Sequence, residues 1–138
     1  MMQPNELLIK NCIEKADEAL TDAKNNIDLS LRLVQNRIYY AIFYVVLALA
    51  YFDGFATGKH HQLMGWFNKE YIYKNKIFDA KLKTIYQTLL ANREKFDYDV
   101  SKNPEKDRVE KDFKDAIFFV ETVKQYILEK CYSKYLLS

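Results

Sequence analysis

A long uncharged run, Ile38 to Phe52, is the feature that most constrains the fold of this chain. Apolar residues fall on every side of a helix drawn through it, which is typical of a helix buried all round. The run is shorter than the roughly 18 to 20 apolar residues that a membrane span needs, and the charged residues Arg37 and Asp53 flank it. We therefore predict the central helix of a soluble bundle that makes no membrane contact.

The composition favours a single all-α domain. Of the 138 residues, 49% are hydrophobic, which is enough apolar material for one sizeable core. The 3 glycines and 2 prolines are too few for a sheet-rich fold with many tight turns. We expect one domain over residues 1–138, with its core at about residues 5–132.

Breaks in the helical pattern divide this domain into four long helices and one short helix, which is the pattern of an up-and-down bundle. Asp28 or Ser30 is expected to cap the second helix. Asn103 is expected to cap the fifth helix, with Pro104 at its first position. The predicted helices span residues 4–25, the second cap to 52, 59–71, 79–96 and 104–132.

The two ends of the domain carry further expectations. Leu8 opens the apolar stripe of the first helix and is expected to point inward. The tail from Ser133 to Ser138 is expected to fray, or to dock through Tyr135 and the two leucines after it.

Charge and cysteine content limit the possible partners and the cellular compartment of the protein. A net charge of +2 neither demands nor excludes a nucleic-acid partner. Cys12 and Cys131 lie near opposite ends of the chain and form no CxxC pair, which fits a reducing compartment. Residues 1–6 show no basic segment followed by an apolar one, so no signal peptide is predicted and we expect a cytoplasmic protein.

The sequence predicts neither a metal nor a cofactor. Histidine occurs only as His60-His61, and no cysteine, histidine or carboxylate stands near them at a metal-binding spacing. The glycine patterns of nucleotide folds and the nucleophile pattern of α/β-hydrolases are also missing. Adjacent histidines point about 100° apart on a helix, so only one can face a given site. Either could serve as a general base beside an arginine.

Two short constellations could carry chemistry. Arg37, Tyr40 and Tyr44 are spaced i, i+3, i+7 and share one helix face. Core packing alone explains tyrosines in such a stripe, but a half-buried arginine needs an anionic partner or several acceptors. The second constellation is the segment from Arg93 to Asp99. Within it, Arg93 and Asp97 are spaced i, i+4, so a local ion pair is expected.

The chain resembles the HEPN domains, which are small α-helical bundles of bacteria and archaea. The resemblance covers roughly Leu8 to Leu128 and rests on the order and spacing of its parts. These are Asn36-Arg37-x-Tyr39-Tyr40-Ala41-x-Phe43, Lys59-His60, Arg93-x-x-x-Asp97-Tyr98, and a last amphipathic helix with Ala116, Phe118 and Phe119.

The resemblance implies a function as well as a fold. Many HEPN proteins are encoded beside a minimal nucleotidyltransferase as toxin and antitoxin, and active members are metal-independent ribonucleases. Their motif is an arginine, four to six residues, then a histidine, and two copies form one composite site across a dimer. Here those spacings hold no histidine; the positions are Ile42, Phe43 and Tyr44 after Arg37, and Tyr98, Asp99 and Val100 after Arg93.

These points lead to one expected function and two alternatives. We expect a homodimeric partner that binds RNA or a nucleotide, in a toxin–antitoxin or minimal nucleotidyltransferase system, with a degenerate nuclease motif. One alternative is a metal-independent endoribonuclease that uses Arg93 and Tyr98, with His60 or His61 as a further candidate. The other alternative is a purely structural interaction domain. The candidate catalytic residues are Arg93, Asp97 and Tyr98, and the candidate ligand-binding residues are Arg37, Tyr40, Tyr44, His60 and His61.

Overall fold

Five α-helices and one π-helical segment make up the fold. The computed structural model describes residues 4–131, and no strand occurs in that range, so the all-α prediction is confirmed. The elements are α1 (Pro4–Asn26), α2 (Leu31–Asp53), α3 (His60–Phe67), the π-helical segment (Asn68–Lys74), α4 (Ala80–Tyr98) and α5 (Lys106–Cys131).

The central element is α2, which packs against α1, α3, α4 and α5. By length and composition alone α2 could cross a membrane, but 67% of its most apolar stretch of 18 residues is buried inside the bundle. That burial is expected of a helix surrounded by other helices. The residues predicted to be buried are all buried: Ile38, Ala41, Ile42, Val45, Val46 and Leu49.

Caps fix both ends of α2. The Ser30 hydroxyl accepts a hydrogen bond from the Leu33 backbone N–H at 3.2 Å, so Ser30 is the N-cap. Asp28, the other candidate, instead forms an ion pair with Lys106 at 3.1 Å. Gly54 ends the helix with φ 77°, a left-handed conformation that glycine adopts at low cost. The start at Leu31 places Arg37 and Tyr40 on the second and third turns of α2.

Three boundary predictions need correction. Helix α5 begins at Lys106 rather than at Pro104, because the Asn103 side chain accepts from Arg32 at 3.3 Å instead of capping the helix. The first backbone bond of α5 runs from Val109 N–H to the Glu105 carbonyl. The third helix continues past its predicted end through the π-helical segment, and α4 includes the Asp97-Tyr98 pair.

The predictions at the two ends have different outcomes. Leu8 is 40% exposed, because Ile9 rather than Leu8 starts the buried series that Cys12 and Ala16 continue. The prediction of an inward Leu8 is therefore wrong. The tail from Ser133 to Ser138 lies outside the described residues, as does Tyr132 at the predicted end of the fifth helix.

Candidate functional site

Polar groups of α2 and α4 meet in what we call the arginine cluster: Asn36, Arg37, Tyr40, Arg93 and Asp97. Arg37 Nε and Nη2 donate to Asn36 Oδ1 at 3.2 and 3.0 Å. The Asn36 Nδ2 donates to Asp97 Oδ2 at 3.2 Å. The amide of Asn36 therefore links the first constellation to the second.

The Arg93 guanidinium closes the other side of the cluster. Its Nη2 donates to the Tyr40 hydroxyl at 3.1 Å. Its Nε lies 3.0 Å from Asp97 Oδ2, without the alignment of a hydrogen bond. The predicted i, i+4 ion pair is thus confirmed, with side chains only 17% and 28% exposed. Because both side chains are largely covered, solvent and salt screen their attraction less than they would at an open surface.

Both guanidinium groups lie against one aromatic ring. The Cζ atoms of Arg37 and Arg93 are 5.2 and 5.5 Å from the centroid of the Tyr40 ring, within the range of cation–π attraction. Arg93 has a carboxylate partner in Asp97, whereas across residues 4–131 no aspartate or glutamate forms an ion pair with Arg37.

His60, the first residue of α3, lies against the aromatic side of this cluster. Its Nδ1 is 2.8 Å from the Tyr39 hydroxyl. Its ring stacks on Phe43, with centroids 4.4 Å apart, and meets the Tyr40 ring edge-on at 5.8 Å. The fold thereby brings a histidine to the cluster although neither arginine has one at the ribonuclease spacing.

Burial and charge hold this pair in its neutral form. Burial lowers the pKa of His60 below 6.5, and the nearby charges of Arg93 and His61 lower it further, while Glu94 acts in the opposite direction. Burial likewise raises the pKa of Tyr39 well above its usual value, against a smaller lowering by Arg93. At neutral pH the pair is a phenol next to an uncharged imidazole.

The other candidate residues lie at the edge of the cluster or beyond it. His61 is exposed and its Nε2 is 3.0 Å from Glu94 Oε1. Tyr44 packs 6.1 Å from the Tyr40 ring and lies under Lys15 of α1, away from Arg93. Tyr98 is 75% exposed, with the Arg93 Cζ 5.9 Å from its ring centroid.

Arg32 is a residue that the sequence analysis missed. Its guanidinium donates to the backbone carbonyls of Phe96, Val100 and Lys102 and to the Asn103 side chain. These bonds tie the end of α4 and the following loop to the first turn of α2. The only sequence signal was a cation in that first turn with no acidic residue at i+3 or i+4. Within the described part of the chain, no group of three or more His, Cys, Asp or Glu side chains could hold a metal ion.

The fold and the site define a class: a small helical-bundle domain whose polar groups gather where α2, α3 and α4 meet. The family model of the HEPN domain matches residues 9–129, so the chain belongs to the HEPN domain family and the resemblance is confirmed.

Two relatives extend this assignment. The chain is 30% identical over 127 residues to a "UPF0332 protein" of Thermotoga maritima, covering 91% of this chain and 96% of that protein. It is 28% identical over 123 residues to "Putative toxin MJ0142" of Methanocaldococcus jannaschii, covering 88% of this chain and 83% of that protein. The chain is thus a HEPN-domain protein similar to one that is named as a toxin.

Proposed function

We propose that this HEPN-domain protein binds the phosphate groups of RNA or of a nucleotide through Arg37 and Arg93. In this proposal it acts as a homodimer within a toxin–antitoxin or minimal nucleotidyltransferase system, and its nuclease motif is degenerate. The observation that carries the proposal is the half-buried Arg37, which contacts an amide and an aromatic ring but forms no ion pair with a carboxylate of residues 4–131.

The chemistry of Arg37 favours a phosphate as the missing partner. A guanidinium presents five donors in a planar fork, and this fork matches the oxygens of a phosphate. Asn36 Oδ1 accepts from Nε and Nη2, whereas Nη1 has no hydrogen-bond partner among residues 4–131. Arg93 lies on the same tyrosine ring and brings a second guanidinium, paired with Asp97, to the site.

The Tyr98 ring supports a nucleotide rather than a simple anion. It is 75% exposed and lies beside Arg93, at the edge of the cluster. An exposed aromatic ring next to cationic groups is the arrangement on which proteins stack unpaired bases. A single-stranded RNA or a nucleotide would therefore place its phosphate near the arginines and its base against Tyr98.

Two observations support the rest of the proposal. The Val100 side chain is 88% exposed in the loop that follows α4, and this exposed side chain is a surface for a second copy to cover. The toxin–antitoxin setting is supported by the Methanocaldococcus relative, whose name includes the word toxin.

The test is fluorescence anisotropy with a labelled single-stranded RNA in EDTA, comparing the wild type with Arg37→Gln. Loss of a charged hydrogen-bonding group should weaken binding about 10- to 100-fold. Lys74→Gln is the matched control. It removes the same charge from an exposed residue of the π-helical segment, whose Tyr71 contacts Asp53 at the far end of α2.

Equal affinities for Arg37→Gln and Lys74→Gln would show that binding, if any, is a general charge effect. If the wild type binds neither the RNA nor AMP, the purely structural interaction domain becomes the better description.

A metal-independent endoribonuclease is the second candidate, and the contact of His60 with the arginine cluster is the observation that favours it. Under our proposal, cleavage of the labelled RNA in EDTA is weak or absent. Robust cleavage that is lost in Arg93→Gln, Tyr98→Phe and His60→Gln would establish the enzyme instead.

A further inference from the structure

The Tyr39 hydroxyl is a buried polar group with one partner. Tyr39 is 0% exposed, and its oxygen lies 2.8 Å from Nδ1 of His60. No other hydrogen bond to this hydroxyl occurs among residues 4–131. Arg93 approaches the face of the ring, with Cζ 5.7 Å from its centroid, rather than the oxygen. The protonation of this pair therefore decides whether a buried donor is satisfied.

The phenol has to be the donor in this hydrogen bond. If Nδ1 carried a proton and donated it, the Tyr39 O–H would be buried without an acceptor, which is costly. If the phenol donates to an unprotonated Nδ1, both groups are satisfied. The neutral imidazole then carries its single proton on Nε2. The lowered pKa of His60 agrees with this assignment, because it disfavours the doubly protonated ring. In that form Nδ1 would carry a proton and could not accept from the phenol.

The other edge of the His60 ring is available to a ligand. The ring plane is held by the stack on Phe43 and by the Tyr39 bond, while the side chain is only partly buried. Nε2 makes no hydrogen bond within the described part of the chain. Arg93 and His60 also share their neighbours, since both lie against the rings of Tyr39 and Tyr40.

We propose that Tyr39 is a positioning residue that holds His60 as the neutral Nε2–H tautomer, and that this N–H donates to the ligand phosphate beside Arg93. The second half rests on the proposed function; the first half concerns the protein without ligand. His60 in this form is a neutral donor rather than a base, since its one basic nitrogen is occupied by the Tyr39 hydroxyl.

The tautomer can be read directly by nuclear magnetic resonance of protein labelled with ¹⁵N at histidine, without ligand and near neutral pH. The expected spectrum shows a protonated Nε2 and an unprotonated Nδ1 for His60. Tyr39→Phe keeps the ring and removes the hydroxyl, so the spectrum should move toward a mixture of tautomers. Tyr86→Phe is the matched control, because it removes another buried hydroxyl, one that has no hydrogen-bond partner in the part of the chain that the structure describes.

A protonated Nδ1 in the wild type, or an unchanged tautomer in Tyr39→Phe, would overturn the positioning role. Both results are independent of any ligand. They can therefore be told apart from a failure of the proposed function, in which the expected tautomer is found but no RNA binds.

The donor role is tested with a single-stranded oligoribonucleotide and, in a separate arm, with AMP. His60→Asn should weaken binding about 5- to 10-fold, whereas His60→Gln should lose less, because its amide nitrogen reaches about as far as Nε2. Binding of the oligoribonucleotide alone identifies RNA as the source of the phosphate, and binding of both identifies a nucleotide site. Equal losses in the two variants, or no change in either, would overturn the donor role.

Discussion

Asn36 on α2 and Asp97 on α4 are joined side chain to side chain, with Nδ2 of the amide 3.2 Å from Oδ2 of the carboxylate. The same amide accepts from Arg37, and the same carboxylate pairs with Arg93. The neutral amide of Asn36 thus lies next to Arg37, and the charged carboxylate of Asp97 lies next to Arg93. Under the proposed function, this asymmetry leaves Arg37 as the group that binds the phosphate, while Asp97 holds Arg93 in place.

Asn36→Asp should therefore abolish most RNA binding. The new carboxylate lies within hydrogen-bond distance of Arg37 Nε and Nη2, so it supplies the counter-charge that the wild type lacks. Asn36→Ala removes the amide without adding charge and should weaken binding less. The measurement is anisotropy with labelled single-stranded RNA. Affinities that are equal for Asn36→Asp and the wild type would exclude Arg37 as the phosphate-binding residue.

The central position of α2 gives a prediction about stability. Ala41 is 0% exposed, so Ala41→Asp places an unpaired carboxylate in the core and should cost more than about 4 kcal/mol, enough to prevent folding. Ala91→Asp makes the same change at an exposed site of α4 and should melt close to the wild type. Thermal denaturation followed by circular dichroism compares them, and a soluble Ala41→Asp with an unchanged Tm would contradict the described packing.

Arg32 is expected to control the order of the loop between α4 and α5. Arg32→Lys keeps the charge but cannot reach three carbonyls and a side chain at once. Amide hydrogen exchange over residues 97–103 should become faster, with a loss of about 1 to 2 kcal/mol in global stability. Arg108→Lys is the control, because it makes the same change at a side chain of α5 that is 61% exposed. Exchange rates that match the wild type in this loop would show that the Arg32 contacts do not order it.

The sequence predicted the helices and the local pairs because both depend on spacing along one helix. The Arg93–Asp97 pair and the buried face of α2 are of this kind. The Arg93–Tyr40 bond joins residues 53 positions apart, and no spacing rule connects them. The misplaced start of α5 has a similar origin. Asn103 has the side chain of a good N-cap, but a tertiary contact with Arg32 takes its oxygen, and this contact depends on the packed fold.

The dimer can be tested through its proposed surface. Val100 is 88% exposed in the loop between α4 and α5, so a charge at this position should separate the proposed copies without harming the fold. Light scattering of the wild type at micromolar concentration should give twice the chain mass of 16.4 kDa, and Val100→Asp should give the chain mass itself. A wild type that scatters as a single chain would count against the homodimer. A dimeric Val100→Asp would place the interface elsewhere.

The last prediction concerns pH. Because the folded protein holds the pKa of His60 below the usual 6.5, the neutral form is favoured by folding. Above about pH 6.5 the histidine is neutral in both states, and its contribution to stability is fully present. As the pH falls further, the unfolded chain takes up the proton first. Stability is therefore lost until the pH has passed below the pKa of His60 in the folded protein.

Burial sets most of this effect, the charges of Arg93 from α4 and His61 from α3 add to it, and Glu94 from α4 opposes it. The Tyr39 hydroxyl faces the ring from α2. The Tm of the wild type should therefore fall more steeply than that of His60→Gln between about pH 7 and about pH 5, because glutamine does not titrate. His61→Gln is the control, since this exposed neighbour bonds to Glu94 rather than to Tyr39. The Tm of His61→Gln should fall with decreasing pH nearly as steeply as that of the wild type. Parallel curves for the wild type and His60→Gln would show that the folded protein does not hold His60 neutral.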